Sequence, residues 1–112
     1  MPFTVLVTDD AARDLKDLIA YIERHDTPEL AAHVLGKIED AILSLAENPH
    51  RGVYPPELIS VGVRDFREIF FKPYRLVYRV VEKNVYVMLV VDGRRDMQTI
   101  LHRRLMGDQG PS

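Results

Sequence analysis

The second half of the chain contains three strand-forming runs that follow one another almost without interruption. They read VRDFREIFF, YRLVYRVV and VYVMLVV, and the short segments Lys72–Pro73 and Lys83–Asn84 punctuate them. Runs rich in Val, Tyr, Phe and Ile that are bounded by Pro or Asn are typical of β-strands. Because tight turns join only antiparallel neighbours, the sequence predicts a three-stranded antiparallel sheet.

The first half is predicted to form two amphipathic helices. Thr8 or Asp9 is a suitable N-cap for the first, and Thr27 followed by Pro28 begins the second, which should end before Pro49. The first helix has one apolar stripe at Ala11, Leu15, Leu18, Ile19 and Ile22. The second has its stripe at Ala31, Val34, Leu35, Ile38, Ile42 and Leu45. A short connector makes the two helices an antiparallel hairpin.

Three further segments complete the predicted order. Phe3–Val7 is mostly apolar and is expected to be a strand buried on both faces, and Asn48–Gly62 is expected to be a loop because it holds three prolines and two glycines. Asp96 and Gly107 are the expected ends of a last amphipathic helix. The sequence therefore predicts an α+β fold of order β-α-α-β-β-β-α, with an antiparallel sheet covered on one face by a helix hairpin.

Composition limits what the chain can be. Its 112 residues suit one domain, which we expect over residues 1–107, with residues 108–112 as a flexible C-terminal tail. Residues 1–62 hold 5 basic and 11 acidic side chains, net −6, whereas residues 63–112 hold 10 and 6, net +4. There is no cysteine, and the four histidines lack metal-site spacing, so we expect no metal and no cofactor. The longest apolar run is far too short to span a membrane, and we expect a cytoplasmic protein.

Two arginines, Arg75 and Arg79, interrupt the apolar run of the middle strand. Side chains alternate along a strand, so both fall on one face, while Leu76, Tyr78 and Val80 fall on the other. Burying two unpaired guanidinium groups would cost on the order of several kcal/mol each, so the helices should cover the apolar face and leave the arginines uncovered. Such arginines either keep the sheet soluble or bind a phosphate or carboxylate, and the pattern leaves both open.

The segments REIFFKPYRLVYRV and DGRRDMQTILHRRL resemble the RelE/ParE superfamily, the toxin halves of bacterial toxin–antitoxin pairs. The resemblance implies one of two activities, ribosome-dependent mRNA cleavage of the RelE type or gyrase poisoning of the ParE type. It puts the phosphate-holding arginines on Arg75 and on Arg94 or Arg95, with Arg95 the closer match. Leu101 stands where RelE-type enzymes carry a tyrosine, and His102 beside it is the remaining proton-transfer candidate.

The missing tyrosine favours a ParE-type, plasmid-stabilisation toxin that inhibits DNA gyrase and is not an enzyme. The resemblance implies a cognate antitoxin whose C-terminal segment folds over the toxin, possible assembly as a heterotetramer, and no membrane partner. The expected target- or antitoxin-binding residues are Arg67, Arg75, Arg79, Arg94, Arg95, His102 and Arg103. A RelE-like endoribonuclease acting on the ribosome and mRNA is the alternative, with Arg75, Arg95 and His102 as its catalytic set. A member that has lost toxicity and only binds its antitoxin is a third.

Overall fold

The computed structural model describes residues 2–107, so the predicted flexible tail at 108–112 lies outside the described residues. The elements are β1 (Thr4–Val7), α1 (Asp9–His25), α2 (Pro28–Ser44), α3 (Pro56–Ile59), β2 (Arg67–Phe71), β3 (Tyr74–Val81), β4 (Asn84–Asp92) and α4 (Met97–Leu101), which continues as the π-helix His102–Gly107. The predicted α+β class is confirmed. The segment expected to be only a loop contains the short helix α3.

The four strands form one sheet in the order β1-β4-β3-β2. β2, β3 and β4 are antiparallel neighbours, as predicted. β1 pairs with β4 in parallel, from Thr4 opposite Asn84 to Val7 opposite Val87, so the whole sheet is mixed. Because β1 is an edge strand, Leu6 and Val7 are 41% and 42% exposed, and the expectation that this strand is buried on both faces is wrong.

Two turns connect β2, β3 and β4, and the sequence predicts the position of the first correctly and that of the second one residue too late. Lys72–Pro73 joins β2 to β3, and its peptide bond is cis. The next hairpin closes with Val81 opposite Asn84, so its turn lies one residue earlier than the predicted Lys83–Asn84. Glu82, not asparagine, takes the positive φ there, at 56°. Pairing register, which local sequence specifies weakly, decides the position of this turn.

The two long helices begin where the capping signals predict. Thr8 Oγ1 accepts a hydrogen bond of 3.1 Å from the Ala11 N–H, and Thr27 Oγ1 accepts one of 3.0 Å from the Leu30 N–H. These bonds satisfy amide groups that have no partner within the helix. The Thr8 hydroxyl also donates to the Val87 carbonyl at 3.0 Å, which fixes the start of α1 to β4.

The first hydrophobic cluster lies between the helix hairpin α1–α2 and one face of the sheet. Leu76, Tyr78 and Val80 of β3 pack there, as strand alternation predicts. The Tyr78 hydroxyl accepts a hydrogen bond of 2.9 Å from the Gly52 N–H, which ties the segment before α3 to this core.

The opposite face of the sheet carries a second hydrophobic cluster, beneath α3 and α4. Its buried members are Leu58, Phe66, Val77, Leu89, Val91, Met97 and Leu101. The expectation that this face is uncovered is therefore wrong. Within residues 2–107, no helix is long and apolar enough to cross a membrane.

A β-bulge lets β4 supply both clusters. Val77 pairs with Leu89 and Tyr78 pairs with Val87, so Met88 is an extra residue between the two pairs. Val87 before the bulge belongs to the first cluster and Leu89 after it belongs to the second. The bulge thus reverses which alternate positions of β4 face the helix hairpin.

Candidate functional site

Arg75 lies between two carboxylates on the α3 side of the sheet. Its Nε donates a hydrogen bond of 2.7 Å to Glu68 on β2. Its Nη1 and Nη2 donate bonds of 2.9 and 2.7 Å to the two carboxylate oxygens of Glu57 on α3. The Arg75 side chain is only 11% exposed and that of Glu68 only 1%. We call these three residues the Arg75 cluster; with all three ionised, it carries a net charge of −1.

The pKa values of the two carboxylates in the Arg75 cluster are shifted in opposite directions. The hydrogen bonds from Arg75 lower the pKa of Glu57. Burial raises the pKa of Glu68, although Arg75 opposes that effect. The hydrogen bonds that Arg75 donates to Glu57 raise the pKa of Arg75, so this guanidinium stays protonated. Its donors are directed at carboxylates of its own chain, and the ion pair fastens α3 to the sheet.

Gly93 makes room for the Arg75 side chain. A Cβ atom at Gly93 would lie 2.6 Å from Cδ and 2.9 Å from Cγ of Arg75, and 3.1 Å from the carbonyl oxygen of Pro73. The Gly93 N–H donates a hydrogen bond of 2.8 Å to that carbonyl, which holds the backbone in place. The glycine of the DGRRD motif is therefore explained by the close approach of Arg75.

A groove of about 640 Å³ lies between α1, the end of β4 and the C-terminal helical segment. Arg94, Arg95 and Arg103 all line it. Arg94 is 75% exposed and pairs at 2.6 Å with Asp92, not with Asp96. Asp96 instead caps α4 by accepting hydrogen bonds from Thr99.

Arg95 and Arg103 are the exposed cations of this groove that make no ion pair within residues 2–107. Of the two arginines in the DGRRD motif, Arg94 thus forms an ion pair with Asp92, and Arg95 forms none within residues 2–107. Free cations on an exposed groove attract a negatively charged partner.

Arg104 also lines the groove and was not predicted as a functional residue. Its Nη1 and Nη2 donate to the Asp14 carboxylate at 2.9 and 3.0 Å, and Nη2 also donates to the Met88 carbonyl at 3.2 Å. The ion pair joins the π-helix to α1 and to the bulge of β4. In the sequence, Asp14 is one of several acidic residues on a predicted helix, and Arg104 is the second arginine after His102. The two lie 90 residues apart, so no local pattern indicates that they form an ion pair.

A second concave site, which we call the arginine cup, lies where β2 and β3 meet the segment before α3. It has a volume of about 340 Å³ and is lined by His50, Tyr54, Arg64, Asp65, Arg67, Arg79 and Val80. The guanidinium of Arg67 lies 4.7 Å from the centre of the Tyr54 ring, and that of Arg79 lies 5.9 Å from the centre of the Phe66 ring. Arg67 and Arg79 were expected from the sequence to bind a partner, whereas Arg64 was not.

Arg67 is held rigidly in the arginine cup. Its Nη1 donates to the carbonyl oxygens of Gly52 at 2.8 Å and of His50 at 3.3 Å. Its Nη2 donates to the Tyr54 hydroxyl at 3.2 Å. Arg67 thus fixes the segment that precedes α3, whereas Arg64 and Arg79 are exposed.

The residues of the alternative nuclease set lie in different surroundings. Arg75 is in the Arg75 cluster and Arg95 lines the groove. His102 is half-buried, and its Nε2 lies 3.0 Å from Nε2 of Gln98, which also donates to the Glu57 carbonyl. Leu101 is fully buried in the second cluster.

The family model described as the ParE toxin of the type II toxin–antitoxin system, parDE, matches residues 5–97. The chain belongs to this ParE toxin family. Except for Thr4, the match covers the whole sheet, together with the helix hairpin, the Arg75 cluster and the arginine cup, but it ends before Leu101, His102 and Arg103. Among curated proteins, none is similar enough to count as a match.

The solved structures that are similar to this ParE family member include the following three. The chromosomal ParDE toxin–antitoxin system from P. aeruginosa has 20% identity and a TM-score of 0.67, over 80% of this chain and 95% of that one. The RelBE2 toxin–antitoxin complex from Mycobacterium tuberculosis has 26% identity and a TM-score of 0.57, over 82% and 99%. A mutant of the E. coli toxin RelE in the free state has 17% identity and a TM-score of 0.60, over 89% and 93%. The chain is thus a type II toxin of the RelE/ParE superfamily.

Proposed function

We propose that the chain is a ParE-type toxin that inhibits DNA gyrase in the cytoplasm by protein–protein contact and is neutralised by a cognate antitoxin. Similarity to the ParDE system and to the RelBE2 complex supports an antitoxin partner. In this mode the toxin is not an enzyme. Its exposed cations recognise the target, and the antitoxin's C-terminal segment blocks them.

The main reason to favour gyrase over RNA as the target is the Arg75 cluster. Cleavage of RNA through the 2′-hydroxyl needs a base, an acid and cations that stabilise the charge developing on the phosphate. Arg75, the expected phosphate-holding residue, instead donates to Glu57 and Glu68. The two carboxylates occupy the donors that a phosphate would need and, when both are ionised, leave the cluster with a net charge of −1. The buried Leu101 supplies no proton.

The groove supplies the acting surface in this proposal. Arg95 and Arg103 line it without an ion pair among residues 2–107, and the paired Arg94 lies beside them. Exposed cations of this kind raise the association rate with an acidic partner more than they raise the affinity. Arginine is also the cation enriched at the energetic centres of protein interfaces.

The test is a supercoiling assay with purified gyrase, plasmid and the purified chain. We expect loss of supercoiling or accumulation of cleaved DNA, and we expect the double variant Arg95→Ala, Arg103→Ala to need at least about tenfold more protein, as for one lost charged contact. Arg24→Ala, an exposed arginine on α1 outside the groove, is the matched control and should act like the wild type.

The RelE-like endoribonuclease is the competing function, and one observation favours it. The RelBE2 complex is more similar in sequence, at 26% identity, than the ParDE system, at 20%. Purified ribosomes carrying mRNA distinguish the two. Cleavage of the mRNA that is abolished by His102→Ala, with gyrase unaffected, contradicts the proposed function.

Neutralisation is tested separately in cells. Growth arrest on expression of the chain should be relieved by co-expression of the neighbouring small reading frame, if that frame encodes the antitoxin. The two purified proteins should then elute together in size-exclusion chromatography, with a mass that decides whether the complex is a heterotetramer. A chain that binds this partner without arresting growth would be a member that has lost toxicity.

A further inference from the structure

Three arginines line the arginine cup, and they differ from those of the groove in that none of them is held in an ion pair within residues 2–107. Arg64, Arg67 and Arg79 face a single carboxylate, Asp65, and none of the three makes an ion pair among those residues. With Asp65 ionised, these four groups carry a net charge of +2. An excess of positive charge in one cavity attracts negative charge, so the cup is expected to bind an anion.

The chain itself indicates which kind of anion. Within the chain, a single arginine is enough to bind a carboxylate through two hydrogen bonds. Arg104, for example, donates bonds of 2.9 and 3.0 Å to the two carboxylate oxygens of Asp14. The same holds for Glu57, which one fork of Arg75 satisfies at 2.9 and 2.7 Å. Three arginines around one cavity offer more donors than the single guanidinium that each of these carboxylates uses. A phosphate has three or more acceptor oxygens in a tetrahedral arrangement, which suits donors from several directions.

Two of the three arginines of the cup are positioned before a ligand arrives. Arg67 is fixed by its bonds to the Gly52 carbonyl and the Tyr54 hydroxyl, and the Arg79 guanidinium rests near the face of Phe66. Side chains that are already ordered lose less entropy when they bind. Arg67 covers one face of the Tyr54 ring, and Phe66 is buried, so the cup offers little aromatic surface on which a nucleic-acid base could stack.

We propose that the arginine cup, formed by Arg64, Arg67 and Arg79, is a binding site for a phosphate group. The group comes either from free inorganic phosphate or from the backbone of a nucleic acid, and the chemistry of recognition is the same. A volume of about 340 Å³ accommodates either source. The site is separate from the groove assigned above to the target, and it does not depend on the proposed function.

The experiment is a titration of the full chain, followed by calorimetry and by amide chemical shifts, at constant ionic strength. The probes are inorganic phosphate, a short oligothymidylate without terminal phosphates, and acetate. The variants are Arg64→Gln and Arg79→Gln, whose side chains are exposed and do not hold the fold. Arg24→Gln on α1 is the matched control, because it removes the same charge from a residue that does not line the cup.

We expect phosphate, the oligothymidylate or both to bind, with amide shifts at Arg64, Arg67 and Arg79. Each cup variant should weaken binding roughly tenfold to a hundredfold, while Arg24→Gln changes it little. Binding of inorganic phosphate identifies free phosphate as a source, and binding of the oligothymidylate alone identifies the nucleic-acid backbone. The proposal is overturned if neither binds, if acetate binds as tightly as phosphate, or if both cup variants bind like the wild type.

Discussion

Arg75 and Arg79 are the same kind of residue on the same strand, four positions and about 13 Å apart. Both lie on the sheet face opposite the helix hairpin, yet their surroundings differ. Arg75 is enclosed by Glu57 and Glu68 under α3, whereas Arg79 lies at the exposed end of the strand beside Phe66. Strand alternation therefore decides which face an arginine occupies. The segment that folds over that face decides whether the arginine stabilises the chain or remains free to bind a ligand.

Removing each arginine in turn is the strongest test of this contrast. Arg75→Ala leaves the buried Glu68 without its partner, so we expect the free energy of unfolding to fall by about 3–5 kcal/mol. Arg79→Ala removes an exposed side chain and should change it by less than about 0.5 kcal/mol. Urea unfolding followed by circular dichroism measures both. Equal losses in the two variants would show that the Arg75 cluster has no special structural role.

A second test acts on Arg75 without changing it. Gly93→Ala would place a methyl group 2.6 Å from Arg75 Cδ and 3.1 Å from the Pro73 carbonyl, so we expect a loss of about 1–3 kcal/mol. Gly36 lies in α2, where an added Cβ atom would meet nothing from the rest of the fold within 4 Å, and Gly36→Ala should raise stability by up to about 1 kcal/mol. Thermal unfolding of both variants should therefore move in opposite directions. A neutral Gly93→Ala would mean that Arg75 can shift freely.

A third test separates the arginines within the cup. Arg67→Ala removes the bonds to His50, Gly52 and Tyr54, so we expect a loss of about 1–2 kcal/mol in the free energy of unfolding. Arg64→Ala should lose less than about 0.5 kcal/mol, because this side chain is exposed. Amide hydrogen exchange at residues 50–54 should accelerate in the first variant alone. Unchanged exchange there would contradict the role of Arg67 in holding that segment.

The weakest of the expected effects concerns pH. The pKa of Glu57 is lowered from 4.5, so its contribution to stability is present above that value and is lost as pH falls through the lower folded-state pKa. The pKa of Glu68 is raised, so its contribution has the opposite sign and is lost as pH rises through its folded-state pKa. Glu57→Gln should therefore flatten the fall in stability below pH 4.5. Urea midpoints across this range measure the slope, and an unchanged slope would mean that Glu57 does not contribute.

Much of the fold follows from signals confined to a few neighbouring residues. Thr8 and Thr27 cap their helices as predicted, and the alternation of Leu76 and Tyr78 gives the correct inner face of β3. The parallel pairing of β1 with β4 was not predictable in this way. It depends on where the helix hairpin returns the chain, and no local pattern encodes that. The bulge at Met88 was likewise hidden, because a continuous apolar run does not specify its register.

The candidate site was predicted in part for the same reason. The basic positions of the second half were visible in the sequence, and Arg79 is exposed as strand alternation predicts, whereas Arg75 is not. Glu57 was missed because it lies in a proline-rich segment whose four-residue helix has too few positions to produce a periodic pattern. Its partner Arg75 is 18 residues away, so the sequence alone gave no sign that this arginine is neutralised.

The parallel pairing of β1 with β4 also has a consequence for synthesis on the ribosome. Thr4 pairs with Asn84, 80 positions later, so the first strand has no sheet partner until β4 has emerged. At ordinary rates of translation this delay is roughly 4–16 s. During that interval the edges of β1 are open to any other strand. The last strand of the meander therefore sets the moment at which the sheet of a newly made toxin can be completed.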